Sequence, residues 1–169
     1  MAHNGSFFLD EIGNVPLHLQ SKLLQVIQTK TVTRLGETKA RPLNVRIITA
    51  TNLNLKLEAA DKNFREDLYY RINTMEIVLP PLRERMEDKM PLAEYLLDKM
   101  IEKYGRDEIK FDKKVPEQIE KHAWNGNIRE MENKIERAVI LCENNTITLS
   151  DLDLDIITPY EANQDDIQL

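Results

Sequence analysis

Cysteine is scarce in this chain of 169 residues, and positive charge is in deficit against negative charge. Its single cysteine, Cys142, excludes a disulfide within the chain and fits a reducing compartment. No apolar stretch approaches the roughly 20 residues that span a bilayer, and no segment resembles a signal peptide. The 23 Lys and Arg residues are outnumbered by 29 Asp and Glu, so the net charge is −6. This balance argues against a broad nucleic-acid-binding face.

Two further absences limit the binding chemistry. The phosphate-binding pattern Gly-x-x-x-x-Gly-Lys-Ser/Thr does not occur in the sequence. The three histidines, His3, His18 and His122, have no metal-ligand spacing with each other or with Cys142. We therefore predict no metal site built from protein ligands alone. The composition is otherwise that of a globular chain, with 41% hydrophobic and 31% charged residues.

The most informative local pattern is an apolar run, residues 5–9, that leads into two adjacent acids, Asp10 and Glu11. A short apolar run without alternation favours a strand buried on both faces of a parallel sheet. Such sheets bind ligands at the carboxyl ends of their strands. There Asp10 could hold magnesium through its waters, and Glu11 could orient and deprotonate an attacking water. The alternative is a strand that ends in two solvated acids.

Strands and helices alternate up to Pro80-Pro81, which forms a stiff boundary because proline lacks the backbone donor, and the pattern beyond it is helical. The predicted elements before this boundary are a helix to Gln28, a hairpin over 31–45, a strand over 45–50, helices over 55–60 and 64–72, and a strand over 75–79. We predict an α/β domain over 1–80, an all-helical domain over 81–155 and a flexible acidic tail over 156–169.

Polar residues at the second strand and on two helices are further candidates for a site. Thr51 and Asn52 could bind a γ-phosphate or the attacking water, unless they form an ordinary polar strand end.

Arg65 and Arg71 lie six residues apart and do not share a helix face, so one could be structural while the other reaches a neighbouring subunit's nucleotide. The alternative is a salt-bridged surface helix. Arg129 begins a helix, where positive charge is unfavourable, and this favours a functional role over a solvated position.

Seven motifs then follow in one order along the chain. They read GSFFLDEIG, LQSKLLQVIQ, RLGE, VRIITATN, FREDLYYRIN, LPPLRER and WNGNIREMEN. This series closely resembles the AAA+ ATPase domain of sigma-54-dependent transcription activators, the bacterial enhancer-binding proteins. The resemblance runs from Gly5 to Leu154, nearly the whole chain. The run FREDLYYR disfavours other AAA+ branches.

The resemblance implies both a fold and a role for each matching residue. The fold would be an incomplete AAA+ P-loop NTPase-type parallel sheet, with three strands and a projecting hairpin, followed by a small helical lid. The hairpin over 31–45 would be the family's second surface loop, near the ring pore. The implied functional residues are the Walker B acids Asp10 and Glu11, the sensor I pair Thr51 and Asn52, the trans-acting arginines Arg65 and Arg71, and the sensor II arginine Arg129.

The resemblance also implies an activity. The intact protein would be a magnesium-dependent ATPase of the bacterial cytoplasm, whose ring hydrolyses ATP to remodel the closed complex of RNA polymerase with sigma-54. The phosphate loop, the family's sigma-contacting loop, a receiver domain and a DNA-binding domain are all missing from the sequence. We therefore expect this chain alone to bind ATP weakly and not to hydrolyse it, and DNA contact only through a further domain. The alternative is a non-catalytic oligomerisation or regulatory remnant.

The missing phosphate-loop strand has a structural consequence. In such domains that strand lies between the strands predicted here at 45–50 and 75–79, so its absence suggests a truncation. Each unsatisfied buried backbone group costs about 1–3 kcal/mol. The two strands would either pair with each other or exchange between two chains. We expect strand exchange, and thus a dimer of this chain.

Overall fold

The computed structural model describes residues 4–154, which fall into two compact units divided between Ile77 and Val78. Each unit is described below by itself. His3 and the predicted tail over 156–169 lie outside the described residues. None of the helices over 4–154 is both long enough and apolar enough to cross a membrane.

The first unit combines a parallel strand pair, a hairpin and three helices. Its elements are β1 (Gly5–Leu9), α1 (Leu17–Thr29), β2 (Thr31–Thr33), β3 (Ala40–Pro42), β4 (Val45–Thr49), α2 (Leu55–Ala60) and α3 (Glu66–Ile72). β1 pairs with β4 in parallel, and β2 pairs with β3 as the predicted antiparallel hairpin. The predicted α/β class is confirmed.

Local sequence explains where the elements of this unit begin and end. Pro16 precedes α1, where its fixed dihedral and missing donor are tolerated. The hairpin reverses at Gly36, whose φ of 80° lies in the left-handed region that glycine adopts without strain. The Asn54 side chain accepts hydrogen bonds from the backbone of Lys56 and Leu57 and thereby caps α2.

Two predictions about the sheet are wrong. Residues 75–79 do not form a strand, and their side chains are exposed, Met75 by 85% and Leu79 by 83%. A strand needs a neighbour for its backbone groups, and no described segment pairs with these residues. β1 is not buried on both faces either, since Phe7 and Phe8 are 47% and 58% exposed. This exposure also follows from missing neighbours, because only two parallel strands meet in the described part of this unit.

The second unit is mainly helical. Its elements are α4 (Met86–Tyr104), β5 (Lys110–Phe111), α5 (Val115–Lys121), α6 (Asn127–Leu141) and β6 (Thr146–Ile147). The prediction of an all-helical domain is wrong in one detail, because β5 and β6 form a short parallel pair. Ile147 at this pair is fully buried, so the apolar side chain brings the two segments together. Gly105 ends α4 in the left-handed conformation, as predicted.

The two units differ in the size of their cores. In the second unit, 17 buried residues form one cluster that includes Trp124, Met131 and Ile135. In the first unit, the buried apolar cluster comprises Ile12, Leu24, Phe64 and Leu68. This smaller core lies where α1 and α3 pack against the turn after β1, directly beside the predicted acids.

Candidate functional site

The register of β1 and β4 brings two of the predicted polar pairs to one edge of the sheet. Leu9 and Thr49 are aligned, so both strands end at the same level. Ala50 continues the contact, because its N–H donates to the Leu9 carbonyl at 2.9 Å and its carbonyl accepts from the Ile12 N–H at 3.0 Å. Asp10 and Glu11 lie between these two hydrogen bonds, and Thr51 follows Ala50 directly. Their backbones are therefore held side by side.

The turn after β1 holds the two acids at the surface. Glu11 has φ 51°, a left-handed conformation that is uncommon for a residue with a side chain. Its N–H donates to Asp10 Oδ1 at 3.0 Å, and Asn14 Nδ2 donates to Glu11 Oε2 at 3.2 Å. Both acids are exposed, so each carboxylate keeps an oxygen available to solvent. The turn thus presents both carboxylates to solvent at the end of β1.

Gly13 lets this turn approach Thr51 closely. A Cβ atom at Gly13 would lie 2.8 Å from Thr51 Oγ1 and 3.0 Å from the Leu53 side chain, so a larger residue does not fit. Thr51 Oγ1 accepts a hydrogen bond from the Leu53 N–H at 3.1 Å, which fixes the hydroxyl. Asn52 is exposed at the same edge. A glycine at position 13 is thus a packing requirement of this edge.

Arg65 is fixed in place at the start of α3. Its guanidinium donates to both carboxylate oxygens of Asp67, at 2.9 and 2.7 Å, and to Ser21 Oγ at 3.3 Å. This guanidinium lowers the pKa of Asp67 below its ordinary value, chiefly through the hydrogen bond. The backbone N–H of Arg65 donates to Gln20 Oε1 at 2.8 Å. Arg65 is therefore oriented from both its backbone and its side chain.

Arg71 is placed differently at the end of α3. It is exposed and lines a cavity of about 230 Å³. No ion pair of Arg71 is formed with any other described residue. The other residues that line the cavity are Val26, Ile27, Lys30, Leu43, Val45 and Ile47. Arg65 and Arg71 thus have different surroundings, one neutralised locally and the other facing an open apolar recess.

Arg129 lies in the second unit, in the first turn of α6. The start of this helix is fixed by three hydrogen bonds. The Gly126 N–H donates to Glu130 Oε2 at 2.8 Å, the Leu82 N–H donates to Asn127 Oδ1 at 2.8 Å, and the indole Nε1–H of buried Trp124 donates to the Ile119 carbonyl at 2.8 Å. The exposed Arg129 side chain is thus presented from a rigid turn.

The structure therefore gathers some predicted site residues and leaves others apart. Asp10, Glu11, Thr51 and Asn52 meet at one sheet edge. Neither Arg65 nor Arg71 forms an ion pair with Asp10 or Glu11 within the described residues of the first unit. Among residues 4–154 no group of three metal-ligating side chains is found. Arg129 belongs to the second unit.

Sequence reasoning missed two buried polar residues, Gln20 and Lys89. Both occupy apolar stripes, because Gln20 precedes Leu24 by one turn of α1 and Lys89 precedes Ala93 by one turn of α4. A polar residue at such a position must hydrogen bond inside the protein. Lys89 Nζ donates to the carbonyls of Glu120 and His122, at 2.6 and 2.8 Å. The interruption of a helical apolar repeat was the signal that could have identified both.

Comparison with known proteins assigns the family. Residues 83–168 match the model of the AAA+ ATPase lid domain, and residues 1–78 match that of the sigma-54 interaction domain. The lid match defines the class, the AAA+ ATPases. Together the two matches show that the chain belongs to the AAA+ family of sigma-54-dependent transcription activators. The resemblance drawn from the seven motifs is thereby confirmed.

Individual relatives agree with this assignment. The chain is 44% identical over 154 residues to the transcriptional regulatory protein FlgR of Helicobacter pylori, covering 91% of this chain and 40% of FlgR. It is 41% identical over 153 residues to the sigma54-dependent transcriptional activator SfnR of Pseudomonas putida, covering 90% of this chain and 42% of SfnR. The crystal structure of NtrX from Brucella abortus in complex with ATP matches with a TM-score of 0.83 at 33% identity, covering 89% of this chain and 36% of NtrX. The chain spans less than half the length of each.

Proposed function

We propose that this chain supplies the hydrolytic edge and the lid of an ATPase that acts on the sigma-54 form of RNA polymerase in the bacterial cytoplasm. The observation that carries the proposal is the pair of backbone hydrogen bonds through Ala50, which hold Asp10-Glu11 beside Thr51-Asn52. Family membership supports it, as does the description of SfnR as a sigma54-dependent transcriptional activator. Residues 1–80 would form the catalytic core and residues 81–155 the lid.

The residues at the sheet edge fit part of what magnesium and ATP require. Exposed carboxylate oxygens of Asp10 and Glu11 are the donors that a hard cation prefers. The backbone amides that cradle phosphates in P-loop proteins are not supplied, because the sequence has no phosphate-loop pattern. Magnesium-bound ATP would bring the phosphoryl group and the cation that neutralises its charge. Asp10 would hold that cation through water.

Glu11 is the proposed general base. Its Oε2 accepts from Asn14, which leaves Oε1 to take the proton of an attacking water. The amide of Asn52 and the hydroxyl of Thr51 would orient that water or a phosphate oxygen, because both lie at the same sheet edge as Glu11. The hydrogen bond from Asn14 would restrain the carboxylate, which would lower the entropic cost of reaching the reactive arrangement.

The three arginines would complete the site from elsewhere in a homo-oligomeric ring. Arg71, which no described acid neutralises, would reach the nucleotide bound to a neighbouring subunit and stabilise charge in the transition state. Arg65, held by Asp67, would act beside it. Arg129 would approach the phosphates from the lid. The roles of Arg65 and Arg71 need a neighbouring subunit, since neither forms an ion pair with Asp10 or Glu11 within the described residues.

A non-catalytic role is the alternative, as an oligomerisation or regulatory module. The absence of a phosphate-loop pattern favours it, as does the edge of β4 with which no strand of residues 4–154 pairs. In this role the chain alone would pair its strands with those of a second copy. Light scattering of the 169-residue chain would show a dimer, and calorimetry would show weak or no ATP binding.

A chimera tests the catalytic proposal directly. Residues 5–154 replace the homologous segment of FlgR, so that FlgR supplies the preceding part of its own chain. We expect the chimera to hydrolyse ATP. Glu11→Gln should keep ATP binding and lower turnover at least about a hundredfold, because the amide cannot take a proton. Asp107→Asn, at an exposed acid of the second unit, is the matched control and should leave turnover unchanged.

Mixed rings test the action of the arginine in trans. Arg71→Ala should lower turnover of the chimera about a thousandfold. Adding Glu11→Gln subunits, which keep Arg71, should restore part of the activity of Arg71→Ala subunits. A chimera that binds ATP but shows equal turnover with Glu11 and with Gln at this position would reject the catalytic proposal and leave the non-catalytic role.

A further inference from the structure

Gln20 is a fully buried polar residue in the small core of the first unit. Its side chain is 0% exposed, and it lies on α1 in line with the buried Leu24. Gln20 is hydrogen bonded to Asn63 and to Arg65, the two residues that flank buried Phe64. A buried amide is costly unless its donors and its acceptor are satisfied, so its presence in this apolar stripe needs a reason.

Every hydrogen-bonding part of the Gln20 amide is used. Nε2 donates to the Val15 carbonyl at 2.7 Å and to the Asn63 carbonyl at 3.2 Å, and Oε1 accepts from the Arg65 N–H at 2.8 Å. The partners fix the amide orientation, because the two carbonyls require donors and the N–H requires an acceptor. Among the common side chains of this length, Glu offers acceptors only and Met offers neither, so the position selects for glutamine.

These hydrogen bonds join the turn that carries the general base to the start of α3. Val15 closes the short 3-10 turn Ile12–Asn14, which follows Glu11 directly. Arg65 is the residue from which α3 begins. The next residue after Gln20, Ser21, accepts from the Arg65 guanidinium at 3.3 Å. One turn of α1 thus holds Arg65 by its backbone through Gln20 and by its side chain through Ser21.

We propose that Gln20 is a positioning residue that fixes Arg65 relative to the Glu11 turn. It does not reach the nucleotide itself, since it is buried. Its effect on hydrolysis passes through Arg65, and the inference therefore rests on the proposed function, in which Arg65 acts at the nucleotide of a neighbouring subunit. A displacement of about 1 Å at a catalytic group can cost about a hundredfold in rate.

The test uses the FlgR chimera with Gln20→Met, which keeps the length and packing of the side chain and removes the hydrogen bonds. We expect ring assembly and ATP affinity to be retained and turnover to fall about ten- to a hundredfold. In an Arg65→Ala background, Gln20→Met should cause no further loss, because the positioned group is absent. Gln25→Met, on an exposed face of α1, is the matched control and should keep full turnover.

A second measurement does not depend on activity. Hydrogen exchange of the peptide that spans residues 63–68 should be roughly fivefold faster in Gln20→Met, the change expected when one net hydrogen bond is lost. Peptides from α6 should exchange at the same rate as before.

The outcomes separate the two proposals. Full turnover in Arg65→Ala would reject the role of Arg65, and with it the inference about Gln20. Slow turnover in Arg65→Ala together with normal turnover in Gln20→Met would reject the Gln20 inference alone. A further loss of turnover when Gln20→Met is added to Arg65→Ala would also reject the Gln20 inference alone. So would hydrogen exchange over residues 63–68 that is unchanged in Gln20→Met.

Discussion

The two units of this chain differ in how much of their apolar surface they bury themselves. The second unit encloses 17 buried residues around Trp124, and buried Lys89 donates two hydrogen bonds to backbone carbonyls inside it. The first unit buries four apolar residues in its cluster and leaves Phe7, Phe8 and Ile48 of its parallel strands at least 40% exposed. Most of the candidate catalytic residues thus belong to the unit with the smaller core. The described residues leave the faces of this strand pair partly uncovered.

The largest expected effect comes from separating the two units. A chain of residues 78–169 should unfold cooperatively on heating, because its core is closed within the described part of that unit. A chain of residues 1–77 should show no cooperative transition, because four buried apolar residues cannot offset its conformational entropy. Circular dichroism of the two pieces measures this. A cooperative transition in residues 1–77 would contradict the comparison.

Truncation of one aromatic residue in each unit gives the next largest difference. Trp124→Ala should lower the free energy of unfolding by about 3–5 kcal/mol, since the side chain is 1% exposed and its Nε1–H is hydrogen bonded. Phe8→Ala should cost no more than about 1 kcal/mol, because the ring is 58% exposed. Urea denaturation followed by circular dichroism measures both. If both variants lost the same free energy of unfolding, the Phe8 ring of β1 would be covered in solution.

Lys89→Met tests whether the buried lysine stabilises the second unit. The change leaves the carbonyls of Glu120 and His122 without their donor and should lower the free energy of unfolding by about 1–3 kcal/mol. Lys99→Met is the control, because Lys99 pairs with Glu132 at the surface and should contribute at most about 1 kcal/mol. If Lys99→Met lowered the free energy of unfolding more than Lys89→Met, the buried hydrogen bonds of Lys89 would not be the main contribution of these lysines to stability.

The smallest effect is a dependence of the second unit on pH. Burial lowers the pKa of His122 below its ordinary 6.5, while Glu130 raises it and Lys134 and Lys89 lower it further. The unfolded chain therefore binds the proton at a higher pH than the folded chain, and stability falls as the pH drops below about 6.5. His122→Asn, which keeps an acceptor for the Trp124 N–H, should flatten this loss between about pH 7 and 5. An unchanged pH profile would exclude His122 as the cause.

The sequence predicted the helices well and the sheet less well. A helix was predicted to end at Gln28, and α1 ends at Thr29, because the helical spacing of apolar residues is a local signal. The segment 75–79 has the apolar composition of a strand, yet a strand also needs a neighbour, and composition does not reveal whether a neighbour exists. The exposure of Phe7 and Phe8 went unforeseen for the same reason.

Some residues of the candidate site could be identified from the sequence, and others needed the structure. Motifs identified Asp10, Glu11, Thr51 and Asn52, and the strand register then brought these four together. Gln20 lies within the motif LQSKLLQVIQ, but sequence reasoning assigned it no role, because two of its hydrogen bonds are made with residues more than 40 positions away. Arg65 is paired with Asp67, whereas Arg71 forms no ion pair with another described residue, and this contrast also depends on side-chain geometry that the sequence does not specify.

The buried position of Trp124 has a spectroscopic consequence. It is the one tryptophan of the chain, so fluorescence excited at the indole band reports on the second unit alone. The His122 ring lies edge-on to the indole with a centroid distance of 4.5 Å. A protonated imidazole at this distance quenches indole emission. The emission intensity thus records the charge of His122 while the unit stays folded, and a red shift of the emission records its unfolding.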